Sequence, residues 1–185
     1  MTTPPLTPVE TTSFEMSRFI ARDKISHHNT VEKAFTATED ECVALTKRFG
    51  VISLDSFTGK VQIAYIKGDK NYAVSGNFTA NVTQECRTTF KPIEQAIDEQ
   101  FKELLVTDKE NLPSLEEARG STKTIEFLDS DVIDYGEIAT QWLSLALDPY
   151  PRAEGEVFEH IEHDPAETNP FSALNSIKLQ NNDKK

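Results

Sequence analysis

Long apolar runs and cysteines are scarce in this chain of 185 residues, and both shortages narrow the classes of protein to which it can belong. No apolar run approaches the roughly 20 residues of a membrane-spanning helix, so no membrane association is expected. The first residues lack the basic and apolar regions of a secretory signal, which predicts a cytoplasmic protein. The two cysteines, Cys42 and Cys86, are expected to be free thiols in a reducing compartment, although their number alone permits one disulfide.

Enzyme and cofactor motifs are also missing. The sequence contains no P-loop, no dinucleotide-binding glycine fingerprint and no nucleophile elbow. The positions of its many acidic residues are typical of helix caps and solvated faces. We therefore expect no enzyme, no catalytic residue and no cofactor, and a hydrolase with a carboxylate site is the alternative.

Metal binding has little support in the sequence. His160 and His163 have helical spacing and are flanked by carboxylates, but Pro165 follows at once and favours an acidic disordered tail. Cys86 is a single thiol, whereas a structural zinc site requires four ligands. We expect no metal site, and a half-buried Cys86 at the junction between a strand and a helix.

The composition predicts one domain with unpacked tails. Hydrophobic residues make up 37% of the chain, which is enough for a core but low for a fully packed protein. Residues 1–13 are rich in Thr and Pro and are expected to be disordered. Residues 14–152 are predicted to form an α+β domain. Residues 153–185 are expected to form an acidic tail, within which residues 169–178 could form a short helix.

Two helices are predicted from their capping residues. Thr38 and Glu41 have capping-box spacing at the start of the first, and Gly50 is suited to end it. The apolar side of this helix consists of Val43, Leu45 and Phe49. Asp134 is suited to cap a later helix, with Glu137 at the capping-box position. The apolar side of the later helix consists of Ile138, Trp142, Leu145 and Ala146, which predicts that Trp142 is a core residue.

A further helix is predicted to start at Pro92, which is suited to a first helical turn because it has no N–H to donate. The residues from Ile93 to Leu105 follow i, i+3, i+4 and i+7 spacing, with Gln100 as the single polar break. This helix is expected to pack on a sheet.

The clearest strand region lies between residues 51 and 82 and is rich in Val, Ile, Tyr and Phe. Turns are predicted at Thr58-Gly59 and at residues 68–71. From Val74 to Val82 apolar and polar residues alternate, as in an antiparallel sheet with one wet face. A further strand is predicted within residues 122–128. The predicted fold class is α+β, with an antiparallel sheet or partly closed barrel packed by about three α-helices.

Charge is divided unevenly along the chain, whose formal net charge is −12. Residues 47–91 carry seven basic and three acidic side chains, a net charge of +4, so the remainder carries −16. The candidates for contact with RNA or with a partner are Lys60, Lys67, Lys70, Arg87 and Lys91. Aromatic residues in the same stretch could stack on RNA bases, but strand alternation places Tyr72 and Phe78 in the core.

Three segments together resemble the YceD family. Residues 74–101 are similar to the family's strand and cysteine motif, residues 131–155 to its late helix and Asp-Pro-Tyr-Pro-Arg turn, and residues 169–178 to its terminal Pro-Phe box. The residues that match these motifs are Cys86, Phe90, Pro92, Asp148, Pro149, Tyr150, Pro151, Arg152, Pro170 and Phe171. Thr89 stands where many members have a second cysteine, which argues against a metal at this motif.

The resemblance implies a non-enzymatic ribosome-biogenesis factor that promotes processing or accumulation of large-subunit (23S) rRNA. The expected partners are large-subunit ribosome precursors. Two mechanisms remain open. In one, the basic stretch contacts pre-rRNA directly; in the other, the acidic helices and tail bind a basic ribosomal protein or a processing factor. A generic protein-interaction adaptor is a further alternative.

Overall fold

The computed structural model describes residues 14–25, 29–66, 70–112 and 124–153. Predictions about the two tails therefore lie outside the described residues, as do those about Lys67, His160, His163, Pro170 and Phe171. The described ranges contain a five-stranded sheet, a two-stranded sheet and two α-helices. No helix within them is long and apolar enough to cross a membrane.

Long strands build the main sheet. The strands are β1 (Phe19–Ala21), β2 (Val31–Thr36), β3 (Ser53–Ile66), β4 (Asn71–Glu85), β5 (Pro92–Val106), β6 (Thr124–Phe127) and β7 (Val132–Asp134). The main sheet has the order β2-β3-β4-β5-β6, in which the first four strands are antiparallel and β6 runs parallel to β5. β1 and β7 form the small antiparallel sheet. Within the described residues β2 and β6 have no further strand partner, so the main sheet is open there; of the two predicted alternatives the structure has the sheet, mostly antiparallel, and not a closed barrel.

The side chains of β4 alternate between core and water, as the period of two in its sequence predicts. Tyr72, Val74, Phe78 and Val82 are all at most 5% exposed and face inward. The Phe78 ring meets the Phe57 ring of β3 edge-on, with 5.6 Å between the ring centroids. The core therefore lies on one face of the sheet, and the prediction that Tyr72 and Phe78 are core residues is confirmed.

β5 shows that the helix predicted from Pro92 is wrong. The segment pairs with β4 along its whole length, from Pro92 opposite Glu85 to Leu105 opposite Tyr72. Its apolar residues at positions 93, 97, 101 and 105 lie four apart, and this spacing places them on one side of a helix and equally on one face of a strand. Pairing with the long β4 satisfies the backbone hydrogen bonds of the segment and overrides its helical spacing.

Gly59 shows that the turn predicted at residues 58–59 is also wrong. β3 continues through Gly59, which lies opposite Phe78 of β4. A Cβ at this position would lie 2.7 Å from the Phe35 ring and would also collide with the Asn77 carbonyl oxygen. The glycine therefore provides room for Phe35 within a strand. The second predicted turn, at residues 68–71, lies partly outside the described residues, and its last residue, Asn71, already belongs to β4.

The first helix, α1 (Glu39–Phe49), begins and ends where its sequence predicts. Thr38 and Glu41 form the capping box, and Gly50 adopts the left-handed conformation with a φ of 65°. Leu45 is fully buried, but Val43, predicted on the apolar side, is 56% exposed.

The second helix, α2 (Tyr135–Ala146), is capped by Asp134, whose Oδ1 accepts from the Gly136 and Glu137 amides. Leu143 is buried against the core, whereas Leu145, predicted on the apolar side, is exposed.

Trp142 of α2 packs on the inner face of the sheet. Its ring stacks on Phe101 of β5, with 5.6 Å between the ring centroids and 21° between the planes. The indole is half-buried rather than fully buried. With residues 92–106 in a strand, the described part of the chain holds two α-helices instead of the predicted three.

Candidate binding surfaces

The basic candidates are spread along the sheet. Lys70 precedes β4 and Arg87 follows it, and a strand of 15 residues spans roughly 45–50 Å. Lys91 lies at the Arg87 end, because the Cys86 N–H donates to the Lys91 carbonyl at 2.9 Å. The described candidates therefore lie at opposite ends of β4, with Lys70 at one end and Arg87 and Lys91 at the other.

Lys60 lies on the outer face of the sheet, whose strands β2 to β5 carry mostly Ser, Thr, Asn, Gln and Ala at their outward positions. Its ammonium group is 3.8 Å from the Glu32 carboxylate. No outward position of β2 to β5 carries an aromatic ring. This face therefore offers no platform on which bases could stack.

Two of the motif segments meet at the Arg87 end of the sheet. The Arg87 N–H donates to the Pro151 carbonyl at 2.9 Å, and Gln84 Nε2 donates to the Asp148 carbonyl at 3.0 Å. Asp148 Oδ1 in turn accepts from the Tyr150 N–H at 2.8 Å. These bonds join the turn between β4 and β5 to the segment that follows α2.

Charged and aromatic side chains project from this junction. Arg87, Lys91 and Arg152 are exposed, and none forms an ion pair with another described residue. The rings of Phe90 and Tyr150 are also exposed, at 71% and 72%. We call these five residues the basic end.

A cleft of 490 Å³ lies beside the basic end, between the end of α1, the end of β4 and residues 147–151. Gln84 lines this cleft and is 8% exposed. Its Oε1 has no hydrogen-bond partner among the described residues.

Cys86 is fully buried at the start of the turn, deeper than the half-buried position predicted for it. Hydrogen bonding from the Thr89 side chain and from the backbone at Ala153, Thr89 and Thr88 lowers the pKa of the Cys86 thiol to about 7. No group of three or more His, Cys, Asp or Glu side chains that could hold a metal is found in the described ranges. Pro92, the next motif residue, opens β5.

A second surface, which we call the acidic groove, is formed by residues of β1, β6, β7 and α2 and has a volume of 350 Å³. Its apolar walls include Phe14, Phe19, Phe127, Val132 and Ile138. Its carboxylates are Glu126, Asp129, Asp134 and Glu137. No basic residue is found among the described residues that line it, so the groove is both apolar and negatively charged.

Two of these four carboxylates have partners within the fold. The Arg48 guanidinium donates to both oxygens of Glu137 at 2.5 and 2.7 Å, which raises the pKa of Arg48. Asp134 Oδ1 caps α2. Glu126 and Asp129 form no ion pair with a described residue. Burial raises the pKa of Glu126, and the nearby charge of Glu137 adds to this effect.

The acidic groove was not predicted from the sequence. Its carboxylates are contributed by short segments without a shared motif, and Phe14 and Phe19 reach them from more than a hundred positions away in the chain. The one signal available was the charge of −16 outside residues 47–91.

Comparison with known proteins identifies a family. The family model described as large ribosomal RNA subunit accumulation protein YceD matches residues 74–178. This range includes the whole basic end and all four carboxylates of the acidic groove. No curated protein and no solved structure matches the chain. Because the family model covers more than half of its residues, the chain belongs to the YceD family.

Proposed function

We propose that this protein promotes the accumulation of large-subunit rRNA by binding rather than by catalysis, and that the acidic groove holds a basic segment of a protein in large-subunit precursors. The family name supports the link to large-subunit rRNA. Ribosomal proteins are the basic proteins of such precursors. The bound segment would carry Lys or Arg side chains beside apolar ones.

The observation that carries this proposal is the composition of the groove. Glu126 and Asp129 lack ion-pair partners in the described part, are exposed to solvent, and line the groove together with its apolar side chains. A Lys or Arg side chain of the partner can therefore reach both carboxylates, and the attraction strengthens where the bound segment excludes water, because the local dielectric constant falls there. The apolar walls add burial of the partner's hydrophobic side chains.

The alternatives have less support. RNA binding across the sheet face is disfavoured by the absence of outward aromatic rings on β2 to β5 and by the distance between Lys70 and Arg87. A hydrolase would require a free acid and base at one reacting centre. In the groove, Glu137 is paired with Arg48 and Asp134 caps α2, so only Glu126 and Asp129 are left for such a centre, and both are exposed to solvent.

Co-sedimentation tests the proposal. We expect the wild-type protein to migrate with large-subunit precursors in a sucrose gradient of a cell lysate, and the double variant E126Q/D129N to lose most of this association. The matched control is E94Q/D98N, which removes the same charge from exposed positions on the outer face of β5. The control should migrate as the wild type does. Equal migration of both double variants would refute a role for the groove.

RNase treatment identifies the type of contact. If the groove holds a protein, mild RNase digestion should shift the wild-type protein to lighter fractions together with ribosomal proteins. Release of the protein alone, with ribosomal proteins remaining associated with one another, would contradict the proposed contact.

A further inference from the structure

We infer that the basic end is a second, separate binding surface that takes unpaired RNA nucleotides. This surface lies away from the acidic groove, and no residue is shared between the two. The inference therefore adds a second class of ligand, RNA, to the protein partner of the proposed function.

The backbone of the basic end is fixed by hydrogen bonds. The Phe90 N–H donates to the Cys86 carbonyl at 2.9 Å, which closes the turn between β4 and β5. The bond from Arg87 to Pro151 then fixes the segment that carries Tyr150 and Arg152. These hydrogen bonds hold the turn between β4 and β5 next to the segment that follows α2, so side chains from two distant parts of the sequence lie at one ordered site.

The conformation of Phe90 is unusual for its residue type. Its φ is 59°, in the left-handed region that favours glycine. The turn keeps a large apolar residue in this conformation, and its ring is 71% exposed to water. An exposed ring on an ordered turn is suited to contact with a ligand rather than to core packing.

Positive charge is the second property that suits the basic end to RNA. Of the five described arginines, Arg18, Arg22 and Arg48 are ion-paired, whereas the two without an ion pair, Arg87 and Arg152, both belong to the basic end, together with the unpaired Lys91. Unpaired guanidinium and ammonium groups bind phosphate oxygens. Phe90 and Tyr150 offer flat π faces beside them.

These two features together select the ligand. Phosphates attract the three cations, and bases stack on the two rings, but only bases that are not already stacked inside a duplex can do so. An acidic protein segment would satisfy the charges but not the rings. The observations therefore favour single-stranded RNA over duplex RNA and over an acidic peptide.

The rest of the protein is acidic and repels phosphate, so we expect the RNA to contact only the basic end. Three phosphates neutralised on a single strand correspond to a log–log salt slope of about −2, from roughly −0.7 per phosphate. The affinity should therefore fall steeply as salt concentration rises.

Fluorescence anisotropy with the purified full-length chain and a labelled 12-nucleotide single-stranded RNA tests the inference. We expect binding at low salt, and weaker binding when the same RNA is annealed to its complement. Tyr150→Ala should weaken binding about fivefold or more, whereas Tyr150→Phe should retain it because the ring remains. R87Q/R152Q should reduce the salt slope to about −0.7, because one cation remains.

The control K33Q/K102Q removes two exposed lysines from β2 and β5 and should bind as the wild type does. Equal effects of the two double variants, or no binding of single-stranded RNA by the wild type, would overturn the inference. Equally tight binding of a poly-Glu peptide that Tyr150→Ala does not weaken would overturn it in favour of an acidic protein partner. The assay contains no ribosomal protein, so its failure leaves the separate co-sedimentation test of the acidic groove unaffected.

Discussion

The most specific physical prediction concerns Glu103, a carboxyl group on the inner face of β5. The residue is 7% exposed, its Oε2 accepts from Trp142 Nε1 at 2.8 Å, and its Oε1 has no partner among the described residues. Burial raises the pKa of Glu103 from its ordinary value of 4.5 to about 7; the Trp142 hydrogen bond acts in the opposite direction, and the charge of Glu126 adds to the rise. We expect Glu103→Gln to stabilise the fold at pH 8 but not at pH 5.

The direction of this pH effect on stability follows from proton linkage. Between the unfolded and folded pKa values the folded state binds the proton more tightly, so the free energy of unfolding falls as pH rises through this window. A rise of this size corresponds to about 3 kcal/mol, of which roughly 2–3 kcal/mol is lost between pH 5 and pH 8. Glutamine has no charge to bury, and its amide oxygen can still accept from Trp142.

Urea unfolding at pH 5 and pH 8, followed by far-UV circular dichroism, measures the effect. The difference in unfolding free energy between Glu103→Gln and wild type should change by roughly 2–3 kcal/mol between the two pH values in favour of the variant. The control Glu99→Gln makes the same chemical change at an exposed position of the same strand and should show almost no such change.

Trp142 provides an independent probe, because it is the single tryptophan of the chain. Its fluorescence in the native protein should titrate with a midpoint near the Glu103 pKa of about 7, and this transition should be absent from Glu103→Gln. A difference between variant and wild type that is the same at both pH values, together with no fluorescence transition near neutrality, would refute the assignment of a buried, titrating carboxyl.

Three further predictions concern stability and can be measured by urea or thermal unfolding. Trp142→Ala should destabilise the fold by about 3 kcal/mol, because it removes the ring stacked on Phe101 and the donor to Glu103; a change below about 1 kcal/mol would contradict this packing. Arg48→Gln should destabilise by about 3 kcal/mol, since the buried Glu137 carboxylate loses its bidentate partner, and an unchanged midpoint would show that the pair contributes nothing. Gly59→Ala should destabilise by roughly 1–3 kcal/mol because its Cβ collides with the Phe35 ring, and wild-type stability of this variant would argue against the close approach.

Local signals predicted the helix caps and the alternation of β4 well. Thr38, Gly50 and Asp134 act through neighbours in sequence, so their residue types are sufficient to place helix ends. The alternation from Val74 to Val82 reflects burial on one face and is also visible in the sequence.

The wrong predictions for β5 and Gly59 result from contacts between residues that are distant in sequence. In β5 the apolar spacing of four fits both a helix and a strand, and the inward Glu103 interrupts the alternation that would have identified the strand. Gly59 resembles a turn residue unless the position of Phe35 on the neighbouring strand is known.

The candidate sites depend even more on distant contacts. Arg87 and Lys91 were identified from local charge, but their proximity to Tyr150 and Arg152 follows from the hydrogen bond between Arg87 and Pro151. Such a contact leaves no periodic signal in a single sequence.

Above all, we propose that the acidic groove binds a basic protein of large-subunit precursors. Photo-crosslinking tests it most directly: a photoreactive amino acid replaces Phe19, a groove residue that is 48% exposed, in cells expressing the full-length chain. The same replacement at Thr79, exposed on the outer face of β4, is the control. We expect a crosslink from position 19, absent from position 79, to a basic ribosomal protein in precursor fractions. Crosslinks from position 19 to RNA alone, or an identical pattern from both positions, would contradict the claim.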